Sequence, residues 1–377
     1  MHLAARAATR SCPSTGTESP DPVARLQDLP HVDLRDVRVL APNFKRRLSG
    51  VTSTIIQLVP VQNRLGQKIA VIGPGLPESL PYVRFRDLWR LWQNGPAGRP
   101  RVWHARRNIE MLPAIIMRDI LRMKLKIVFT SASQRNHTGW TKFLISRMDG
   151  VIATNSQTAS YLEVPSTVIM HGIDTDRFSP PADKAEAKVA RGLDPQRKYA
   201  GCFGRIRHQK GTDLFVDTMI RVLPDHPQWS AIVAGRATGP HVDFENGLKE
   251  RVRAAGLADR ILFVGEHTNI NEWYRALDLF IAPQRWEGFG LTPLEAMSTG
   301  VPVIATDVGA FPELVHEGET GTVIARDNLD AMVEATNGFL SDPEMMQRRS
   351  AAARQTTVEN FALEGEARSL GNIYARV

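Results

Sequence analysis

Cysteine is nearly absent from this chain of 377 residues: Cys12 lies in a polar N-terminal stretch and Cys202 beside a strand-like run. Two isolated thiols make no disulfide framework and match no metal spacing, so both read as free. Long apolar runs are missing too. No segment approaches the roughly 18 residues of a membrane span, and the opening MHLAARAATRSCPSTGTESPDP lacks the apolar centre of a secretory signal, so the sequence predicts a cytoplasmic protein. No repeat of solenoid length occurs. Acids are scarce in one half only. Residues 1–175 hold 24 Lys and Arg against 12 Asp and Glu, the remainder 23 against 28, so the net charge of +7 reflects a basic first half and a mildly acidic second. The cations cluster at Lys45, Arg46 and Arg47, at Arg84, Arg86 and Arg90, at Arg106 and Arg107, and at Arg118, Arg122, Lys124 and Lys126. Such clusters make either a solvated basic surface or a face for an anionic partner: a charged lipid, an acidic sugar or nucleic acid. Nucleic acid is disfavoured, because no aromatic-studded basic strand, helix-turn-helix signal or zinc spacing accompanies the charge.

What is present is the composition of a soluble globular protein, with 42% hydrophobic and 23% charged residues over a length that suits two domains. Residues 1 to about 33 are rich in Ser, Pro, Thr and Ala and predict a flexible leader. From VRVLAPNF onward short apolar runs alternate with longer helical patterns. KIAVIGPG, RVWHAR, KIVFTSA, GVIATN and TVIMHGID form a first series, and KYAGCFGRI, WSAIVAG, RILFVG, LDLFIAP and VPVIAT a second. This alternation predicts an α/β fold of two parallel, Rossmann-like sheets. The break falls near residues 176–187, where two prolines interrupt the rhythm. We therefore place the domains at 34–178 and 179–355, with a final helical segment over 356–377. Two such domains predict a ligand in the cleft between them, at the carboxyl ends of the strands.

The stretch EGFGLTPLEAM, residues 287–297, carries the strongest local grammar. Thr292, Pro293 and Glu295 fit the N-cap, N1 and N3 positions of a helix, with Thr-x-x-Glu as a capping box. Gly288 and Gly290 allow close approach of a ligand, and the first N–H groups of a helix suit an anion. Glu287 and Glu295 are then either a loop acid and a capping partner, or acceptors for the hydroxyls of a ligand that has both phosphates and sugars. In GRIRHQKG, residues 204–211, Arg205 and Lys210 follow the first strand of the second series. They form either an ordinary charged turn or a diphosphate clamp, with a planar fork of donors and a point charge. Asp174-Thr175-Asp176 is the only Asp-x-Asp, and lacking a neighbouring third acid it reads as a turn, so no metal is predicted. In the first half, NFKRRLSGVTST places Gly50 and three cations at a loop before a helix. His104 and His137 follow strand ends, where a lone histidine is structural more often than catalytic.

Together the Glu287-x7-Glu295 pair with its GFG, the GxPVIAT that follows, the GR-x4-KG loop and the HGID strand end resemble the retaining glycosyltransferases of GT-B architecture, family 4. The resemblance runs from about residue 37 to 377. Within it the chain is similar to the lipopolysaccharide core mannosyltransferases of alpha-proteobacteria, on the strength of APNFKRRLSGVTSTIIQL, GPGLP, VWHARRN and FTSASQRNHTGW. It implies a GDP-mannose donor, with a UDP-sugar as the alternative within the family, and an acceptor carrying the acidic sugar Kdo on lipid A at the cytoplasmic membrane surface; no metal or other cofactor is expected. It assigns Arg205 and Lys210 to the diphosphate and Glu287 to the donor-sugar hydroxyls. The backbone of Gly288, Phe289, Gly290 and Leu291 lies against sugar and phosphates, Glu295 is on the ribose, Gly50 is in the first-domain loop, and Gly265, Glu266 and His267 are near the base. The basic residues Lys45, Arg46, Arg47, Arg106 and Arg107 become candidates for the acceptor. The last helix is expected to pack back on the first domain, as in relatives. Two departures stand out. The first-domain loop has a single glycine where relatives often have two, and Thr130 and Ser131 stand where many have a histidine, which makes His137 a candidate replacement.

Overall fold

The structure, a computed structural model, describes residues 31–46 and 50–377. Most of the expected leader, together with Cys12, Arg47 and Ser49, lies outside the described residues.

Twelve described strands form two six-stranded sheets. The first contains β1 (Val39–Pro42), β2 (Ile69–Ile72), β3 (Arg101–Ala105), β4 (Leu125–Ser131), β5 (Gly150–Ala153) and β6 (Thr167–Val168), in the order β2-β1-β3-β4-β5-β6. The second contains β7 (Lys198–Phe203), β8 (Trp229–Ala234), β9 (Ile261–Gly265), β10 (Leu279–Ala282), β11 (Val303–Thr306) and β12 (Gly321–Ile324), in the order β12-β11-β10-β7-β8-β9. Every pairing between these strands is parallel. Helices cover both faces, so the central strands bury all their side chains, as in VLAP, LFIA and VIAT, and the edge strand IAVI is buried as well. This is the predicted fold class.

Two strands differ from the reading of sequence. β12 was not foreseen: its four residues follow directly on the turn EGET, too short a run to show a period. Of TVIMHGID only Thr167 and Val168 pair as a strand, because beyond Ile169 the chain leaves the sheet edge for the C-terminal segment, with Ile173 N–H donating to Phe361 C=O and Leu363 N–H to Ile173 C=O. The chain thus crosses between the two units twice, after residue 173 and again near 361. The helix Leu363–Arg376 packs against the first sheet, where Leu363, Ala367, Leu370 and Ile373 share one core with Val39, Ala41, Ile55 and Leu58.

The carboxyl ends of the two sets of strands face each other. Gly288 C=O, past β10, accepts hydrogen bonds from Gln134 Nε2 (3.0 Å), past β4, and from Asn155 Nδ2 (3.3 Å), past β5. Ser156 donates through its N–H (3.0 Å) and its hydroxyl (3.0 Å) to Glu313, past β11. These contacts lie between the carboxyl ends of the two sheets, the region to which the sequence reading assigns the ligand.

The basic half is not one uniform face. Arg101 is 1% exposed and spends its guanidinium on the carbonyls of Leu34, Val37 and Gln93. Arg118 pairs with its neighbour Asp119 and with Asp149, and Lys126 with Asp149, so part of the 118–126 cluster is neutralised, in Asp149 by an acid that sequence spacing did not bring near.

Candidate active site

The loop Gln284–Leu291 and the loop Gly204–Gly211 meet at an ion pair, Lys210 Nζ with Glu287 Oε2. Both side chains are mostly withdrawn from water, at 20% and 18% exposure. The second oxygen of Glu287 accepts the N–H of Gly288 (3.1 Å). Arg205 is exposed on the same loop, and Arg207 lies close enough to feel both Arg205 and Glu287. Burial, then the Arg205 charge, lowers the Arg207 guanidinium from its ordinary value, and its Nε has no partner among the described residues. The Arg285 guanidinium locks the two loops together: it donates to Asp213 (2.7 and 3.0 Å) and to His208 C=O (2.6 Å), and pairs with Asp327.

Glycine is required at two points of the 287–291 loop. At Gly288 a Cβ would stand 2.8 Å from Ala132 C=O of the facing unit. At Gly290 φ is +87°, and a Cβ would lie 2.3 Å from the Phe311 ring. Phe289 is 5% exposed and meets the His171 ring edge-on at 4.9 Å. His171 is held by Glu366 of the last helix (2.9 Å), whose other oxygen accepts the N–H of Gly172 (2.8 Å).

The capping box is not formed. The helix spans Thr292–Ser298, its N-cap is Leu291 with no side-chain cap, and the Thr292 hydroxyl is buried without a partner. The helix starts one residue earlier than the motif implies, which moves Glu295 past the capping position and turns its carboxylate to Tyr274 O–H (2.8 Å). Burial raises the Glu295 pKa, against opposing contributions from Tyr274 and Arg177; burial and the Glu295 charge push Tyr274 well up. Tyr274 is itself fixed in an aromatic cluster with Phe178, Phe203 and Phe280. Gly265 ends β9 at φ +81°, with open space where a Cβ would be, and His267 Nε2 donates to Val264 C=O (2.8 Å) while its ring lies 4.6 Å from the Trp273 ring.

Other candidates fall elsewhere. Gly50 opens the helix Gly50–Arg64 with nothing near its missing Cβ. Lys45 and Arg46 are exposed. Arg107 is engaged inward by Asn43 Oδ1 (2.9 Å), Glu110 (2.8 Å) and Thr52 (3.3 Å), and Arg106 donates to His104 C=O (3.2 Å). His104 is 1% exposed, with Nδ1 at Tyr374 Oη (2.6 Å) and Nε2 at Thr130 Oγ1 (2.7 Å). Burial first, then Arg106, holds its pKa well below the usual value, so it is a neutral structural group. His137 lines a cavity of about 310 Å³ with Lys142, Phe143, Tyr161 and Glu163, none of them a residue of the Glu287 loop. The Asp174 carboxylate accepts the N–H groups of Asp176 (3.1 Å) and Arg177 (3.0 Å), the turn foreseen for it. Sequence reasoning missed Tyr274, Gln134, Asn155 and Arg207. Only Arg207 gave a signal, its place between Arg205 and Lys210.

The family described as "Glycosyl transferases group 1" matches residues 183–356. The chain is 72% identical over 346 residues, 91% of its length and 98% of the relative's, to the lipopolysaccharide core biosynthesis mannosyltransferase LpsB of Rhizobium meliloti (strain 1021). The chain belongs to the group 1 glycosyltransferases. It is also 54% identical over 342 residues to the lipopolysaccharide core biosynthesis mannosyltransferase LpcC of Rhizobium leguminosarum bv. viciae, covering 91% of this chain and 97% of that one. The fold of this glycosyltransferase matches that of the Anabaena protein HepE in complex with UDP, at a TM-score of 0.78 and 18% identity over 90% of this chain and 100% of that one. The GT-B arrangement, two parallel sheets with their strand ends across a cleft, is therefore the architecture of this glycosyltransferase.

Proposed function

We propose that this glycosyltransferase moves mannose from GDP-mannose to the Kdo-bearing inner core of lipid A, with retention of configuration as in family 4. The observation that carries the reading is the Lys210–Glu287 pair, flanked by Arg205 and Arg207 and set against the facing unit through Gly288. A cation beside a carboxylate is what a sugar diphosphate needs: Lys210 and Arg205 offset the charge that grows on the departing diphosphate, and Glu287 accepts from the donor-sugar hydroxyls. The identity to two mannosyltransferases of lipopolysaccharide core biosynthesis supports both the sugar and the acceptor class.

In this reading Glu295, poised on Tyr274, takes the ribose hydroxyls, and the base lies near Gly265 and His267. In the same reading the exposed Lys45 and Arg46 face the anionic acceptor, and the transfer needs no metal. The acceptor hydroxyl attacks the anomeric carbon from the face the diphosphate leaves; the C–O bond to phosphate breaks, and the departing phosphate oxygen accepts the hydroxyl proton. The two carboxylates assigned to the donor are each held by a partner, Glu287 by Lys210 and Glu295 by Tyr274.

Calorimetric titration with GDP and then UDP, both in EDTA, tests the donor. GDP binding that Lys210→Ala or Glu295→Ala abolishes supports the reading; preference for UDP removes the mannosyl assignment, and dependence on added Mg²⁺ removes the metal-free site. NMR of the product decides the stereochemistry, and an inverted linkage ends the retaining mechanism.

A further inference from the structure

The first unit carries an unusual outer surface. The segment Phe85–Trp92 exposes Phe85, Trp89 and Trp92 at 52%, 49% and 50%. Next to it runs the helix Asn108–Ile115, continued by the π-turn Ile116–Ile120, whose buried side is Met111, Ala114, Ile115 and Met117. Its outward side carries Ile109, Leu112, Ile116 and Ile120, a stripe at helical spacing, with Ile120 70% exposed. The two segments are tied together by Trp92 Nε1, which donates to Leu121 C=O (2.7 Å). Asn108 Nδ2 donates to Thr141 Oγ1 (2.7 Å), which joins the helix Gly139–Ser146 and its exposed, stacked pair Trp140 and Phe143 to the same surface. A hollow of about 430 Å³ lined by Phe44, Pro74, Phe85, Leu88, Pro113 and Met117 opens within it. A monomer in water does not gain from an apolar area this wide.

The charge of the same segment decides the occupant. Residues 84–124 hold ten Lys and Arg against three acids. Of the acids, Glu110 is buried against Arg107, Asp87 pairs with His31, and Asp119 pairs with Arg118 and Arg147. Arg86, Arg122 and Lys124 are exposed, and Arg90 lies over the Trp89 ring at 4.8 Å. Aromatic and aliphatic side chains among unneutralised cations fit the boundary between acyl chains and anionic headgroups. We infer that this face, from Phe85 through Trp140, docks on an anionic lipid bilayer and immerses the Ile109–Ile120 stripe at its interface. Asn108 follows β3 and Phe44 follows β1, so the docked face borders the cleft, which then opens beside the membrane. The inference rests on the lipid A acceptor proposed above; its test uses vesicles without acceptor, so the failure of one is distinguishable from the failure of the other.

The test is co-sedimentation of the full chain with vesicles of phosphatidylcholine, with and without phosphatidylglycerol. The expected result is binding that needs phosphatidylglycerol and weakens as salt rises. Ile116→Ser/Ile120→Ser lowers the partition coefficient by roughly tenfold or more, and Arg86→Glu/Lys124→Glu abolishes it at moderate salt, with melting curves and GDP binding unchanged because these side chains are exposed. Absence of binding to the mixed vesicles, equal binding to phosphatidylcholine alone, or variants that bind like the wild type overturns the inference. So does a dimer in size-exclusion chromatography that dissociates on Ile116→Ser/Ile120→Ser while the vesicles remain unbound.

Discussion

Replacement of Lys210 by methionine separates a structural ion pair from a ligand-binding one. Met keeps the length of the stem and removes the charge. In the free protein Lys210 neutralises Glu287, and both side chains are about one-fifth exposed. Their pairing is thus only partly screened, and leaving the Glu287 carboxylate without its partner costs about 1–3 kcal/mol. For a unit of this size that lowers Tm by roughly 2–4 °C per kcal/mol. In the complex Lys210 also makes a charge-assisted bond to the diphosphate, worth about 1.5–3 kcal/mol, so GDP affinity falls about 10- to 150-fold. The turnover falls further, about 10²- to 10³-fold, because charge on the leaving group grows in the transition state. The assay combines thermal melts, GDP calorimetry and initial rates on Lys210→Met and on Lys210→Met/Glu287→Gln. The double variant relieves the unpaired carboxylate and regains most of the melting temperature, but it does not regain GDP affinity. If GDP binding by Lys210→Met equals that of the wild type while Tm falls, Lys210 serves only the loop and the diphosphate assignment is wrong.

His104 makes stability depend on pH. Its folded pKa is held well below the ordinary value of 6.5, so the unfolded chain takes up a proton first as pH falls. Its contribution is complete above that value and is lost below it; urea unfolding between about pH 7.5 and about pH 5 shows the slope, and His104→Gln flattens it. Gly288→Ala puts a Cβ 2.8 Å from Ala132 C=O and strains the contact between the units by about 1–3 kcal/mol, so the transfer rate drops in initial-rate assays. Leu370→Ala opens a cavity where the last helix meets the first sheet and costs about 2–5 kcal/mol in urea unfolding, with GDP affinity unaltered.

Much of the fold was legible because parallel strands buried on both faces must be short apolar runs, and the runs IAVI, LFIA and VIAT have no other use. The loop that carries Glu287 and the loop that carries Lys210 were equally readable, since glycine beside charge at a strand end is a local pattern. Partners were not. That Glu295 turns to Tyr274, 21 residues earlier, depends on where the helix start falls, which the Thr-x-x-Glu spacing misplaced by one residue. That His104 is locked by Tyr374, 270 residues later, depends on the last helix crossing back to the first sheet. Arg107, Arg118 and Lys126 counted as free cations in the sequence because the acids that neutralise them approach only after folding, Glu110 by the helix turn and Asp149 across neighbouring strands. By itself the sequence determined the two sheets, the family and the chemical types at the cleft, all properties of local runs and spacings. The tertiary structure alone decided which charges remain unpaired, which histidine is neutral and which apolar face is left in water, because each depends on what a distant segment brings to it.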